Sequence, residues 1–225
     1  MLCDICYVVY DIYCLLNYNT PGKLVDMDHE PEHENRVGGM LKKIGYFFLD
    51  IIQTVVMALA VFVVVYLFVF QPNQVKGSSM VPTLHDGEYL LTDKLTFRWL
   101  RQPARGDIVV FRAPENEKYD FIKRIIAVSG DSVLLSEGVV SVNSKPVDEY
   151  YLPPELRTRA GAFLKNDQQY IVPEGGYLVM GDNRNYSSDS REWGPVPSEN
   201  IIGRAWFRYW PINKIGLLSH ATSAE

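Results

Sequence analysis

The sequence predicts a mostly β protein, in which an antiparallel β-sheet domain with a small β insertion follows a single transmembrane helix. Two observations support this prediction. An apolar run without a charged residue ends at Phe70, and the chain after residue 76 consists of short β-branched and aromatic segments separated by turn residues. No long amphipathic helix is evident after the apolar run, so the following domain is expected to be all β.

The apolar run has the length of a membrane span. Residues 51–70 provide about 20 residues, or roughly 30 Å of helix, which matches the hydrocarbon core of a bilayer. We therefore predict a transmembrane helix over residues 45–70. Lys42 and Lys43 precede it and only Lys76 follows closely, so the positive-inside rule places the N-terminal tail in the cytoplasm and the larger domain outside.

Two other interpretations of the apolar run are weaker. A cleavable signal peptide would use the Ala-Leu-Ala of residues 58–60, but residues 61–70 stay strongly apolar and extend the run beyond the roughly 7–15 residues of such a segment. A buried core helix rarely runs this long without a polar face. A membrane anchor is the favoured interpretation.

The residues before the helix, 1–44, are predicted to form an acidic cytoplasmic tail. Residues 1–40 contain seven acidic and two basic residues, whereas the rest of the chain balances with 20 of each. No basic stripe is present, so nucleic acid is not an expected partner. The acidic run 26–34 is typical of a solvated tail. A membrane-associated helix over Leu2–Leu16, and a true start at Met27 or Met40, remain open.

All cysteines precede the apolar run, at Cys3, Cys6 and Cys14. The domain after the run therefore contains neither a thiol nucleophile nor a disulfide. Cys3 and Cys6 form a C-x-x-C without a second cysteine pair, which is a weak signal for a metal or redox site. We expect no metal and no cofactor.

The outer domain is predicted to span residues 71–215, with a C-terminal tail over 216–225. Turn-forming residues separate its predicted strands. These strands are residues 89–91, 108–111, 121–128, 177–180 and 201–210. Residues 132–173 differ, because two short apolar runs lead into a polar loop with prolines and arginines. This segment is predicted to be a β-hairpin insertion between core strands.

Three segments carry the chemically informative side chains: residues 77–84, 121–124 and 181–191. A serine hydroxyl becomes a nucleophile only when a base accepts its proton. The outer domain offers two imidazoles, but His85 lies in a predicted surface turn and His220 lies in the C-terminal tail. A lysine can act as the base only if burial lowers its pKa.

Lys123 is the candidate base, because apolar residues flank it on a predicted buried strand. Strand alternation sends Lys123 and Arg124 to opposite faces, so one can enter an apolar pocket while the other is solvated or paired. The pattern by itself also allows both side chains to be exposed charges at a sheet edge.

In these segments the chain resembles the bacterial type I signal peptidases, or leader peptidases, which are membrane-anchored Ser/Lys proteases. The segments read G-S-S-M-V-P-T-L from Gly77, F-I-K-R from Phe121 and G-D-N-R-N-Y-S-S-D-S-R from Gly181. They occur in this order after the predicted anchor, and the resemblance covers most of residues 45–210. It implies a signal-peptidase-like β-sheet catalytic domain in which a smaller β-domain is inserted.

The resemblance implies a role for each matching residue. Ser79 would be the nucleophile and Lys123 the general base, while Ser187 would hydrogen-bond the lysine. Asp189 and Arg191 would form a supporting ion pair that makes the site rigid. The residues implied to be structural supports near the site are Met80, Pro82, Asp182 and Arg184.

Two positions depart from the family pattern. The oxyanion donors of the family include the backbone N–H of the nucleophile, and some members add a serine hydroxyl where this chain has Gly77. A backbone donor or a water must then serve in its place. Residues 126–131 lack the G-x-P-G-D turn often found in the family, since Ala127 and Ser129 occupy it, which leaves the turn geometry open. Residues 105–111 match a further family block of structural type.

The implied activity is that of signal peptidase I, a serine endopeptidase that removes signal peptides from exported pre-proteins through an acyl-enzyme, after small-x-small sites. Its partners would be pre-proteins and the lipid bilayer, and it would be a monomer in the plasma membrane. An extended substrate would pair with a strand edge, with its pockets lined by residues around Ser79 and by 120–122. Phe97, Trp99 and Leu100 either enter the membrane interface or pack in the core.

Two other functions compete with this one. A self-cleaving Ser/Lys protein of the repressor type would be soluble and carry a DNA-binding domain, and neither feature is evident. A catalytically inactive, membrane-tethered module that holds signal peptides is disfavoured by the presence of Ser79, Lys123 and Ser187.

Overall fold

The computed structural model of the chain describes residues 36–114 and 116–218. The expectations about the cysteines, Leu2–Leu16, the acidic run 26–34, the start at Met27 and His220 all lie outside the described residues.

Helix α1 (Arg36–Val69) contains the predicted membrane span. Within it, the 25 residues Lys42–Tyr66 are long and apolar enough to cross a bilayer, and no other helix among the described residues meets that test. The large apolar side chains along this stretch are exposed, as a lipid-facing helix requires. The helix begins at Arg36, before the predicted boundary at residue 45.

The main sheet has eight antiparallel strands in the order β1-β2-β11-β3-β4-β9-β10, with β12 paired to β11. Its strands are β1 (Phe70–Gln74), β2 (Tyr89–Asp93), β3 (Ile108–Ala113), β4 (Asn116–Val128), β9 (Gly176–Met180), β10 (Val196–Pro197), β11 (Ile201–Trp210) and β12 (Gly216–Leu217). The short helix α2 (Ser190–Trp193) packs beside β9. A five-residue π-helical turn, Thr96–Leu100, lies between β2 and β3.

A second sheet of four strands lies in the range predicted for the insertion, 132–173. Its order is β7-β6-β5-β8. The strands are β5 (Ser132–Ser136), β6 (Val139–Val142), β7 (Lys145–Pro146) and β8 (Tyr170–Ile171).

This second sheet shares its core with the main sheet. Val133 and Leu135 of β5 belong to the same buried cluster as Ile126 of β4 and Leu178 of β9. Residues from Val55 onwards accordingly form one compact unit. The insertion is therefore a layer of the β domain and not a separately folded body.

Strand β4 is an interior strand of the main sheet and holds both basic side chains of the F-I-K-R segment. It pairs with β3 on one side, where Lys123 opposes Val109, and with β9 on the other, where Arg124 opposes Met180. The pairing with β9 shows a register shift between Ile125 and Ala127, as at a β-bulge. Both basic residues are thus placed in the sheet interior and not at an edge.

The C-terminal boundary of the domain lies later than predicted. Gly216–Leu217 forms β12, which pairs with Phe207 and Arg208 of β11, and Leu218 is buried. These residues were expected to begin a tail at 216. They belong to the β domain instead, because Leu218 packs into the apolar cluster that contains Leu84.

We expect Leu135→Ala to lower the free energy of unfolding of the whole β domain by about 2–5 kcal/mol, because this side chain is fully buried in the shared cluster. Urea unfolding of the full chain in detergent, followed by tryptophan fluorescence, should show one shifted transition. The control Val139→Ala removes a side chain that is 42% exposed on the neighbouring strand and should cost much less. A separate early transition of the second sheet alone would contradict the shared core.

Candidate active site

The loop from Gly77 to Leu84 follows β1 and presents Ser79. Met80 and Leu84 are buried in the apolar cluster beneath the loop, and the Leu84 amide donates to the Met80 carbonyl at 2.9 Å. Gly77 has a φ of +88°, a conformation that favours glycine, and its amide donates to Asp86 Oδ1 at 2.6 Å. Anchored in this way, the loop holds Ser79 half-buried at the surface of the sheet, while Pro82 points to solvent.

Lys123 extends from β4 to this serine. Its Nζ donates to Ser79 Oγ at 2.7 Å, although the two residues lie 44 positions apart in the chain. The lysine is 5% exposed. Burial lowers its pKa to about 8; the carboxylates of Asp189 and Asp182 oppose this shift, and the charge of Arg191 adds to it. The arrangement provides a hydroxyl beside an amine that deprotonates far more easily than an ordinary lysine.

Arg124 points away from Lys123 and is also buried, but it is fully paired. Its guanidinium donates to both carboxylate oxygens of Asp182, at 2.9 and 2.7 Å, and to the Gly106 carbonyl at 3.1 Å. Thr83 donates to the same carboxylate at 2.5 Å. Asp182 was expected to be a structural support, and these contacts show how it connects the Ser79 loop to β4.

The segment from Gly181 onwards holds the Gly77–Leu84 loop, called the serine loop below, in place. The Asn183 amide donates to the Ser79 carbonyl at 2.9 Å, and its side-chain amide donates to the Ser78 carbonyl at 3.0 Å. A Cβ at Gly181 would clash with the Ser79 carbonyl and with Ser187 Oγ. Only glycine at 181 allows the two segments to approach this closely.

Asp189 and Arg191 form the expected ion pair, with Nε to Oδ1 at 2.8 Å and both side chains buried. The same carboxylate accepts from the Gly181 amide at 2.9 Å and caps helix α2. Burial alone would raise the pKa of Asp189, but the hydrogen bonds and charge of Arg191 hold it below its ordinary value. The pair thereby fixes both ends of the Gly181–Arg191 segment.

Ser187 does not make the hydrogen bond to Lys123 that the resemblance implies. Its Oγ is buried and has no hydrogen-bond partner among the described residues. It lies close enough to Asp189 to help lower the pKa of that carboxyl, without hydrogen-bond geometry. The lysine amine instead uses Ser79 Oγ as its partner, so Ser187 remains a neighbour of the site with an unused hydroxyl.

Arg184 is held by residues that the sequence analysis did not identify. Glu149 and Thr158, both from the segment of the second sheet, accept from its guanidinium at 3.0 and 2.6 Å. From the same segment, the Tyr151 ring stacks on Arg124, with 3.9 Å between the guanidinium carbon and the ring centroid. No local pattern in the sequence identifies these contacts, because each one joins residues at least 26 positions apart.

The turn that contains Ala127 and Ser129, the two residues that depart from the family pattern, is formed by hydrogen bonds of Asp131. The Asp131 amide closes a turn onto the Val128 carbonyl at 3.0 Å, and Gly130 takes a φ of +82°. The Asp131 carboxylate accepts from the Val128 amide and from Arg105 Nε, at 2.8 and 2.7 Å. The family block that contains Arg105 therefore braces this turn.

A groove of about 290 Å³ passes over Ser79 and Lys123. One wall of the groove is formed by residues of β1 and of the Gly77–Leu84 loop. The other wall is formed by residues 120–123 of β4. The other lining residues are Asn73, Gln74, Val75, Lys76, Met80, Val110 and Ser188. The lining therefore mixes apolar and polar side chains. Ser188 is an exposed hydroxyl that the sequence analysis did not single out. His85 is not among the lining residues; it is half exposed and lies 3.6 Å from Glu88.

Comparison with known proteins gives consistent matches. The family model described as signal peptidase, peptidase S26, matches residues 48–210. The probable signal peptidase I-2 of Synechocystis sp. is 40% identical over 182 residues, covering 79% of this chain and 80% of that protein. Signal peptidase IB of Staphylococcus aureus is 34% identical over 177 residues, covering 74% of this chain and 91% of that protein.

A solved structure is also similar. The crystal structure of a signal peptidase I from Enterococcus faecalis V583 is 27% identical, with a TM-score of 0.38, and covers 46% of this chain and 97% of that one.

We expect Lys123→Met to raise the free energy of unfolding at pH 7 by up to about 3 kcal/mol, because a protonated lysine is buried there at a cost. The folded lysine releases its proton near pH 8, whereas the unfolded one keeps it to about 10.5. The wild type should therefore gain stability relative to the variant between these two pH values.

Denaturant unfolding across that pH range measures this difference. The exposed Lys145, replaced by Met, serves as the control for loss of a lysine outside the groove. A stability gap between wild type and Lys123→Met that stays constant from pH 7 to 10 would contradict the lowered pKa.

Proposed function

Since the chain belongs to the signal peptidase family, peptidase S26, we propose that it is a signal peptidase I whose nucleophile is Ser79 and whose general base is Lys123. The observation that supports this most directly is the 2.7 Å hydrogen bond between the lysine amine and the serine hydroxyl in a buried setting. No histidine among the described residues lies at the groove.

The proposed reaction proceeds in two halves. The neutral Lys123 amine accepts the Ser79 proton while Oγ bonds to the carbonyl carbon of the scissile peptide. The ammonium then protonates the leaving amine as the C–N bond breaks, which leaves an acyl-enzyme on Ser79. Next, Lys123 accepts a proton from water, the hydroxide attacks the ester, and the released serine oxygen recovers its proton from the lysine.

The lowered pKa is what makes this lysine useful as a base. With a pKa of about 8, roughly a tenth of the amine is neutral at pH 7. An unperturbed lysine would be neutral roughly 300-fold less often. Arginine cannot replace it, because a guanidinium stays protonated.

Charge on the tetrahedral intermediate requires preorganised donors. We assign one donor to the Ser79 backbone N–H, with a water in place of the hydroxyl that Gly77 lacks. The unused hydroxyl of Ser187 supports a positioning role: it can take up a hydrogen bond from Lys123 when Ser79 is acylated and no longer a partner. Asp189, Arg191, Asp182, Arg184 and Met80 keep the loop rigid through the contacts described above.

The proposed substrates are exported pre-proteins with a small-x-small site. The groove is bordered by β1 and by residues 120–122, so an extended peptide can add its backbone hydrogen bonds to these segments. Val75, Met80 and Ile122 leave apolar room beside Ser79 suited to small side chains. The enzyme acts as a monomer in the plasma membrane, with its β domain outside the cytoplasm; the lysines that precede the span support this orientation.

Replacing either member of the dyad should abolish cleavage. We expect Ser79→Ala and Lys123→Ala to lower kcat/KM for a pre-protein with an Ala-x-Ala site at least 1,000-fold, on the scale of losing a nucleophile or its base. Ser78→Ala is the matched control, because Ser78 is the exposed neighbour in the same loop and its hydroxyl should be dispensable. A wild type that binds the peptide without cutting it would support the tethered binding module instead.

Activity should follow the deprotonation of Lys123. We expect kcat/KM to rise with pH through a pKa of about 8 and then level off, because only the neutral amine accepts the serine proton. Lys123→Arg should be inactive at every pH tested. An activity maximum in mild acid that is lost above neutrality would exclude lysine as the base.

A further inference from the structure

A second pocket lies between the π-helical turn and strand β11, apart from the groove over Ser79. It encloses about 110 Å³. The residues that matter for its chemistry are Lys94, Arg98, Gln102 and Ser198 on its walls, with Phe97 and Ile201 among the apolar residues of its floor. We refer to it as the basic pocket.

The two basic side chains of the basic pocket, Lys94 and Arg98, are available to bind an anion. The side chains of Lys94 and Arg98 make no ion pair or hydrogen bond with another described residue. One carboxylate adjoins the pocket, that of Glu199, and it accepts from the Ser198 hydroxyl at 3.5 Å. Two others near the turn are engaged elsewhere. Asp93 accepts from the backbone amides of Leu95 and Thr96 at 2.8 and 3.1 Å, and Asp107 accepts from Arg101 at 2.6 Å. The pocket therefore presents net positive charge with polar donors at its rim.

The basic pocket also lies at the exit of the membrane span. The backbone amide of Lys94 donates to the carbonyl of Val69, the last residue of α1, at 3.1 Å. The apolar span ends at Tyr66, within one helical turn of Val69. A lysine bonded at this point of the chain lies at the level where lipid headgroups meet water.

The turn that carries Arg98 has the composition of a membrane interface. Trp99 is 55% exposed and Leu100 is 78% exposed, although both are large and apolar. Phe97, in the same turn, packs inward against the core cluster that contains Phe111. The sequence left open whether these three residues pack in the core or enter the membrane interface. Phe97 packs against the core, whereas the exposed Trp99 and Leu100 are available to enter a lipid surface.

We infer that the basic pocket binds the headgroup phosphate of an anionic phospholipid. The phosphate oxygens accept charge-assisted hydrogen bonds from Lys94 and Arg98 and a further bond from Gln102. The acyl chains of the lipid run alongside Trp99 and Leu100 into the bilayer. This site is independent of the cleavage reaction and would orient the β domain on the membrane surface.

The test measures lipid retention and not activity. The full chain is extracted in detergent, mixed with equal amounts of phosphatidylglycerol and phosphatidylcholine, and examined by native mass spectrometry for the lipid that stays bound. We expect Lys94→Gln/Arg98→Gln to retain phosphatidylglycerol on the order of 10- to 30-fold less than wild type, given the attraction of each basic residue to an anionic surface.

The control Lys145→Gln/Lys165→Gln removes the same charge from exposed positions in the segment of the second sheet and should keep the preference. Ser79→Ala should also keep it, so a failure of the proposed catalytic role and a failure of this site are distinguishable. Lys94→Arg/Arg98→Lys preserves charge and should restore retention if the glutamine variant folds poorly. Equal losses in the pocket and control variants would overturn the proposal, as would displacement of the lipid by inorganic phosphate at millimolar concentration.

Discussion

The burial of a lysine amine without a carboxylate partner is the constraint on which the rest of this structure depends. Lys123 hydrogen-bonds a serine hydroxyl, and desolvation of its ammonium is the main cause of its lowered pKa. Two carboxylates lie near enough to oppose that shift, but each is neutralised by its own arginine. Because Asp182 and Asp189 are already paired, their charges stabilise the lysine ammonium only in part.

The two ion pairs also hold the segments of the site together. Asp182 joins the serine loop to β4 through Thr83 and Arg124, and Asp189 ties the Gly181 amide to Arg191. Removing one partner of such a buried pair leaves an uncompensated charge, so these residues are far less replaceable than surface salt bridges. The second sheet contributes to the same rigidity, since Glu149 and Tyr151 hold the remaining faces of Arg184 and Arg124.

The position of the groove relative to the membrane follows from chain connectivity. Strand β1 begins at the residue after α1 ends, and residues 73–76 form one wall of the groove before the chain reaches Ser79. In the proposed function, this closeness to the end of the span would place the scissile peptide bond near the bilayer surface. The basic pocket lies at the same exit through Lys94, which is why lipid binding there would set the orientation of the β domain.

A helix long and apolar enough to cross a membrane, the β class of the domain and the three segments of the proposed site could all be predicted from the sequence. Apolar length and turn chemistry are properties of neighbouring residues, so the strand that contains Lys123 could be predicted from them. The Asp189–Arg191 ion pair was implied by the resemblance to the signal peptidases and not by pattern. Pattern alone could not decide whether Lys123 is buried. Strand alternation allows a buried or an edge position, and only the pairing of β4 with both β3 and β9 places the lysine in the interior.

The contacts between distant parts of the chain could be seen only in the tertiary structure. The approach of Lys123 to Ser79, the Asn183 bonds to the serine loop, and the support of Arg184 by Glu149 each connect residues 35 or more positions apart. The tertiary structure likewise left Ser187 without the expected bond to the lysine, merged the insertion into a common core and extended the domain to Leu218. Such contacts depend on packing and desolvation of many residues at once, which no local stretch of sequence specifies.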